Sequence, residues 1–288
     1  MSYKLKAFID QTGSFRYGFM TIAFRHKELK VRIATWNVNG IRACSSKDNG
    51  FFEFLDKYDP DIFCIQETKA HPGQLSEKLI DPLNRKGYFS SAKRKGYSGT
   101  ATFVKHQPLK VEHGIGIKKY DDEGRFVVTT HENFVLYNVY FPNGASREER
   151  HDYKQEFLYD FTEHLKEEHL DKNQSVILVG DYNVAYLEHD VFDPIRLSKV
   201  SGFLPEERDW FHYFLNTGFV DVFRHFYPDQ KDIYSWWSYR ERARKDNRGW
   251  RIDHICVSED LIKKVDAIEI VNQQMGSDHC PIVMDISI

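Results

Sequence analysis

The side chains suited to acid, base or metal chemistry concentrate in six short segments of this 288-residue chain. They are Trp36-Asn37-Val38-Asn39-Gly40, Gln66-Glu67-Thr68-Lys69, Tyr140-Phe141-Pro142-Asn143, Gly180-Asp181-Tyr182-Asn183, Arg251-Ile252-Asp253-His254 and Ser277-Asp278-His279-Cys280-Pro281. Each lies at the end of an apolar, strand-like run, and strands that end on one sheet edge bring such groups into one pocket. Glu67, Asp181, Asp253 and Asp278 are too many carboxylates to sit together unpaired, because like charges a few ångströms apart raise one another's pKa. A cation or a cationic imidazole must stand among them. Oxygen donors from Glu, Asp and Asn suit a hard ion, Mg²⁺ with Mn²⁺ as a possible substitute, and argue against zinc.

Such an ion acts as a Lewis acid on a phosphoryl oxygen and lowers the pKa of bound water. Asp181 could then take a proton from the attacking water and Asn183 could orient that water. His279, fixed by Asp253, could hold a phosphate oxygen as charge develops. These are the parts of a phosphodiesterase. Taken singly, a Gly-Asp-x-Asn turn or a Ser-Asp-His triplet is commonly just a loop cap. The joint occurrence of six segments behind six strand-like runs carries the functional reading.

The elements that must position these groups follow from periodicity. Val31 to Thr35, Asp61 to Ile65, Gly99 to Val104, Phe126 to Thr130, Phe134 to Tyr140, Val176 to Val179, Ile252 to Val257, Ala267 to Val271 and Ile282 to Ile286 read as strands. Phe51 to Tyr58 reads as a helix. Tyr153, Phe157, Phe161 and Leu165 recur every four residues behind a Ser146/Glu149 capping box, which predicts a helix over 147–168. Pro205 opens another, with Trp210, Phe211, Phe214 and Leu215 on its apolar face and Gly218 as its stop. Many strands, two main helices and the same order in both halves predict an α/β fold, a four-layer sandwich of two packed β-sheets flanked by helices.

No linker or repeat divides residues 31–288, which are expected to form a single catalytic domain. Residues 1–30 stand apart as an extension of unknown role. There Phe15, Tyr17 and Phe19, then Ile22 and Phe24, alternate as a strand or hairpin would. An edge hairpin, a mobile arm and a mis-set start all fit. The 41% apolar and 29% charged composition describes a globular protein, and no window has the roughly 18 uninterrupted apolar residues of a membrane helix. With no secretory signal in MSYKLKAFID, the expected location is the cytoplasm, nucleoid-associated in a prokaryote. Cys44, Cys64, Cys256 and Cys280 form no C-x-x-C pair and read as reduced packing residues, and the sequon at Asn173 reads as a chance match.

The net charge of −3 gives no general attraction for polyanions, so nucleic-acid binding would need a local basic patch. One candidate is the run Arg240, Arg242, Arg244, Lys245, Arg248 and Arg251, set against only Glu241 and Asp246. It lies between Trp236-Trp237 and Trp250 and directly before Asp253, which favours a DNA-contacting loop over a solvated face. Lys93-Arg94-Lys95-Gly96-Tyr97 is a second candidate.

Together these segments resemble the exonuclease III family of apurinic/apyrimidinic endonucleases, within the wider endonuclease/exonuclease/phosphatase fold, from about Val31 to Ile288. Ser201-Gly202-Phe203-Leu204-Pro205-Glu206-Glu207-Arg208 and Asn247-Arg248-Gly249-Trp250-Arg251-Ile252-Asp253 look like its DNA-repair branch. The resemblance implies a Mg²⁺-dependent, monomeric enzyme acting on double-stranded DNA with abasic or 3′-blocked lesions. It would cut 5′ to an abasic site, leaving a 3′-hydroxyl and a 5′-deoxyribose phosphate, with 3′→5′ exonuclease and 3′-end-trimming activity beside. By the same analogy Glu67 is the principal metal ligand, with Asn39, Asp181, Asn183, Asp278 and His279 as further candidates. Tyr140, Asp181, Asn183, Asp253, His279 and Asn37 form the catalytic set. Lys69, Tyr97, Asn143, Arg240, Arg244, Lys245 and Trp250 are the DNA-contact candidates, Trp250 as the wall of a pocket for an extruded abasic sugar. Some members carry Asp where this chain has Asn39, so one contact to the ion is neutral here and its binding should be weaker or shifted. Two rivals are a phosphatase of the same fold acting on a phosphoinositide, nucleotide or sphingolipid, which would not need Trp250, and a non-catalytic DNA-binding protein, which would tolerate Asp181→Asn.

Overall fold

In a computed structural model the described residues are 4–9, 15–20, 29–145 and 147–288, the first two segments by backbone alone. Lys4–Ile9 (β1) and Phe15–Met20 (β2) pair antiparallel as a sheet of their own, in line with the alternation at 15, 17 and 19. Ile22, Phe24 and the expected helix cap Ser146 lie outside the described residues.

Two six-stranded sheets make up the body. The first runs β13 (Val265–Ile270), β14 (Ile282–Ser287), β3 (Lys30–Asn37), β4 (Ile62–Gln66), β6 (Thr100–Val104), β5 (Lys86–Ser90). The second runs β11 (Phe219–Asp221), β12 (Asp253–Ser258), β10 (Val176–Asp181), β9 (Val135–Tyr140), β8 (Phe126–Thr130), β7 (Lys110–Glu112). Each has one parallel pair at its centre, β3 with β4 and β9 with β10, flanked by antiparallel neighbours. The sequence pattern finds the central strands to within two residues at either end. It misses β5, β7 and β11, which are short, lie at sheet edges and carry too few apolar positions to show a period.

Alternation along the strands sorts side chains into layers. Ile33, Cys64, Leu136, Ile177, Val179, Ile255, Ile282 and Met284 fill the space between the sheets. On the outer face of the first sheet Ala34, Trp36, Phe63 and Phe103 pack against Phe51, Phe54 and Leu55 of the helix Phe51–Tyr58. On the outer face of the second, Val135, Tyr137, Val139 and Leu178 pack against Phe157, Phe161 and Leu165 of the helix Glu148–Glu168 and Trp210 and Phe214 of the helix Pro205–Asn216. The four-layer sandwich expected from the pattern is the observed architecture. Each fully buried phenylalanine contributes about 2 kcal/mol of transfer free energy to holding these layers together.

The inner rows end polar. Continuing the same alternation beyond the apolar core, β3 reaches Asn37, β9 reaches Tyr140, β10 reaches Asp181 and β12 begins at Asp253. Register sets Asp181 directly opposite Tyr140 on one side and Asp253 on the other. Just beneath, Gln66 Nε2 donates to Thr35 Oγ1 (2.9 Å) and Asn138 Oδ1 (2.7 Å), while Asn138 Nδ2 donates to the Ala101 carbonyl (2.8 Å). This buried polar pin fixes one sheet against the other where the site begins.

Candidate active site

The loops that follow β3 and β4 extend the ladder between those strands. Val38 N–H donates to the Gln66 carbonyl (3.1 Å), Gly40 N–H to Glu67 (2.8 Å) and Ile41 N–H to Thr68 (3.1 Å), while Lys69 N–H donates to Ser98 (2.9 Å). Held this way, Asn39 (φ 46°), Glu67 (φ 53°) and Lys69 (φ 49°) adopt left-handed backbone, and Asn183 (φ 51°) does the same after β10. Asparagine tolerates that region; Glu67 and Lys69 do so at a cost of order 1 kcal/mol each, and such strain collects where side-chain direction matters.

Asn37 joins the two sheets at the site. Its Nδ2 donates to Glu67 Oε1 (2.9 Å) and to Asp181 Oδ2 (2.8 Å), and its Oδ1 accepts from Asn39 N–H (2.9 Å). Asp181 Oδ1 accepts from Asn183 N–H (2.8 Å), and Asn183 Nδ2 donates to the Phe141 carbonyl (3.0 Å). Burial first, then the charge of Asp253, lifts the Asp181 carboxyl from its ordinary value to about 7. His279 Nδ1 lies 2.8 Å from Asp253 Oδ2, and its Nε2 faces Asp181 at 3.9 Å. Burial disfavours the charged ring, but the Asp253 carboxylate outweighs it and raises the His279 pKa to about 10. The imidazolium required among the carboxylates is therefore present. Asp253 Oδ1 is buried with no hydrogen-bond partner among the described residues.

Lys69 supplies a second cation, its Nζ 2.6 Å from Glu67 Oε2 and also bonded to Asn39 Oδ1. Burial disfavours the Glu67 carboxylate, but Lys69 and Asn37 hold its pKa below the usual value. Asn39 Nδ2 donates to Asp278 Oδ1 (2.8 Å), and Trp236 Nε1 donates to Asp278 Oδ2 (3.2 Å). An aspartate at 39 would face Asp278 charge against charge; the amide bridges it instead. Tyr140 is buried, and desolvation together with the Glu67 and Asp181 charges pushes its hydroxyl well above its ordinary pKa, so it stays protonated. Arg125 donates to the Tyr140 carbonyl (2.7 Å) and stacks over its ring at 5.1 Å. Donor atoms of Glu67, Asp181 and His279 lie within 4.8 Å of one another. The two carboxylates of that group, beside Asp278 and the Asn39 amide, suit a hard divalent ion.

These groups border a cleft of about 400 Å³ whose far wall is Val200, Ser201, Gly202, Trp236, Trp250 and Ile252. Trp250 is buried, its ring set against Trp236 at 6.2 Å. Asn143 donates to Asn183 Oδ1 (3.1 Å) and stands between this cleft and a second basin of about 570 Å³ lined by Arg94, Tyr97, Tyr140, Arg147 and Arg150. The Tyr97 hydroxyl accepts there from Arg125 (3.2 Å) and Arg150 (3.0 Å).

The basic run is less free than its composition suggests. Arg240 and Lys245 are exposed. Arg244 stacks on Trp237 at 4.4 Å and directs its donors to the Asn272 (2.7 Å), Gln274 and Ser277 carbonyls, so it braces a loop and is not available to a phosphate. Arg251 is wholly buried between Asp190 (2.7 Å) and Asp221 (2.8 Å), two carboxylates distant in sequence that the count around 240–251 cannot include. Arg248 faces Glu241 and Asp246. The sequence reading also passes over Lys154, whose buried ammonium reaches the Asn183 carbonyl (2.8 Å) and Glu207 (2.5 Å). Its signal was available: a lysine three residues before Phe157 on the face of the helix that otherwise buries Phe157, Phe161 and Leu165.

Comparison with known proteins agrees with this geometry. The chain is 43% identical to the exodeoxyribonuclease of Bacillus subtilis over 258 residues, covering 90% of this chain and all of that protein. It is 39% identical to the DNA repair nuclease APEX1 of Danio rerio, covering 90% of this chain and 83% of the relative. An AP endonuclease structure from Archaeoglobus fulgidus superposes with a TM-score of 0.80 at 28% identity, over 90% of this chain and all of that one. The model of the endonuclease/exonuclease/phosphatase family matches residues 34–279, which contain every one of the six segments up to His279, and the chain belongs to that family.

Proposed function

We propose that this protein is a Mg²⁺-dependent DNA-repair phosphodiesterase that cuts the backbone 5′ to abasic sites, with 3′→5′ exonuclease and 3′-end-trimming activity. One observation carries the reading. A buried carboxylate and imidazole pair opens onto a cleft whose opposite wall is Val200, Ser201, Gly202, Trp236, Trp250 and Ile252, with the Ser201 hydroxyl and the Trp236 N–H already committed to Glu207 and Asp278. Such a cleft suits a sugar that has lost its base.

Glu67, Asp181, Asp278 and the Asn39 amide would hold the ion, which when bound polarises the phosphoryl group and lowers the pKa of water. Asp181, whose buried carboxyl is raised above its ordinary value, takes the proton of the attacking water, and Asn183 orients that water. With Nδ1 committed to Asp253, the His279 ring presents Nε2–H to a phosphoryl oxygen as negative charge builds. The Tyr140 hydroxyl, held protonated, donates to the same phosphate. The water oxygen bonds to phosphorus as the bond to the 3′ oxygen breaks, and the departing 3′ oxyanion takes a proton from solvent water, leaving a 3′-hydroxyl and a 5′-deoxyribose phosphate. Lys69, Tyr97, Asn143, Arg240 and Lys245 contact the duplex, and Trp250 walls the sugar pocket.

Residues 31–288 act as one catalytic domain, with 1–30 an extension to it, and the working form is a cytoplasmic monomer. Among the described residues no helix is long and apolar enough to cross a membrane. The test is a labelled duplex with one abasic-site analogue, incubated with Mg²⁺ or with EDTA. A metal-dependent cut directly 5′ to the lesion is expected, lost in Asp181→Asn. No cut under any condition would move the assignment to a phosphatase of the same family.

A further inference from the structure

The motif Ser201 to Arg208 lies outside the chemistry just described, yet its Glu207 is fully buried against a fully buried Lys154. The pair lies between two parts of the site. On one side Lys154 Nζ donates to the backbone carbonyl of Asn183 (2.8 Å), the residue whose left-handed backbone aims its amide at Asp181. On the other, Glu207 Oε2 accepts from the N–H groups of Gly202 (2.5 Å) and Leu204 (3.0 Å), and Oε1 accepts from Ser201 Oγ (3.2 Å). Ser201 and Gly202 form the rim of the cleft. Gly202 has a φ of 101°, and a Cβ there would lie 3.2 Å from the Trp250 ring and 3.3 Å from the Asn183 carbonyl. The Gly202 carbonyl closes the circuit by accepting from Ala185 N–H (2.7 Å).

We propose that the buried Lys154–Glu207 pair is a positioning device that locks the Asn183 turn and the Ser201–Gly202 rim into one unit, so that sugar placement and water orientation are set together. The inference rests on the abasic-site reading and goes beyond it. Neither residue touches substrate; both act through groups that do. An ammonium aimed at a carbonyl from inside the core is costly to bury, and its only other bonded partner among the described residues is Glu207, so what the cost secures is the hold on Asn183.

The test is a double-mutant cycle in single-turnover cleavage of the abasic-analogue duplex. Lys154→Met is expected to slow cleavage 10- to 100-fold with duplex Kd changed less than threefold, and Lys154→Arg to recover most of the rate. In an Asn183→Ala background, Lys154→Met should add a several-fold smaller loss than it causes alone, because one of the two groups it positions is gone. If the single variant does not fold, Lys154→Met with Glu207→Gln removes both charges and takes its place in the same cycle. Losses that multiply in the double variant, or a wild-type rate in Lys154→Met, overturn the positioning role alone. A wild type that does not cut the duplex overturns the abasic-site reading and this inference with it.

Discussion

Two buried polar clusters, one around Arg251 and the other around Asp181 and Asp253, differ in how their charges are balanced. Around Arg251 the charges balance: Arg251 and Arg224 face Asp190 and Asp221, and all the groups are paired at close range. Despite burial, the two guanidinium groups hold the Asp190 carboxyl at about 2, below its ordinary value. In the candidate site, among the described residues, Glu67, Asp181, Asp253 and Asp278 are in direct contact with only two cations, Lys69 and His279, and Asp181 is driven up to about 7 while His279 rises to about 10. A balanced cluster closes on itself and stabilises. An unbalanced one keeps unmet demand for positive charge, which a divalent ion can supply and which primes the site for a phosphodiester in its transition state.

The comparison breaks most visibly in activity. Asp181→Asn is expected to reduce abasic-site cleavage by at least about 10³-fold while leaving the thermal midpoint unchanged or higher, measured by gel cleavage and calorimetry. Arg251→Met should do the reverse. It strands the buried Asp221, leaves Asp190 with Arg224 alone, and should cost about 3–5 kcal/mol in urea unfolding. Any residual cleavage should come from the folded fraction at nearly wild-type rate. If Asp181→Asn proves the more destabilising of the two, charge balance does not separate the two regions.

The pH dependence of stability should carry opposite signs in the two regions. Asp181 has a folded pKa above its unfolded one, so in EDTA its ionisation destabilises the fold progressively as pH rises from about 4 through about 7. Metal-free Asp181→Asn should therefore exceed the wild type at pH 8 by a few kcal/mol, since each tenfold change in proton affinity is worth about 1.4 kcal/mol, and converge with it near pH 4. Asp190 is depressed, so its contribution is present above about pH 4 and lost as pH falls toward 2. Unfolding midpoints at pH 5, 4 and 3 should fall less steeply in Arg251→Met than in the wild type.

Smaller effects sharpen the picture at the rim. Trp250→Ala is expected to lower cleavage of the abasic duplex about tenfold, and a phosphatase acting on a small ester would scarcely notice it. Arg240→Ala should weaken duplex binding and reduce the salt slope of log K by about one, whereas Arg244→Ala should leave the slope unchanged and lower the thermal midpoint. Equal salt effects in both would restore Arg244 to the DNA face.

The six polar segments, the central strands and the two long helices are legible in the sequence because each depends on local pattern: a period of two or four, a proline, a glycine, a polar run at a strand end. The demand for a cation among four carboxylates follows from residue types alone. Pairing across the chain is what the sequence leaves undetermined. Arg251 counts as a free charge until the fold brings Asp190 from 61 residues and Asp221 from 30 residues away. The helix period places Lys154 on the buried face, but its counter-charge, Glu207, stands 53 positions on and is found only in the fold. Register, too, is tertiary: only the pairing of β10 with β9 and β12 sets Tyr140, Asp181 and Asp253 side by side. Local physics chose the chemistry of this protein, and long-range packing decided which charges were left free to perform it.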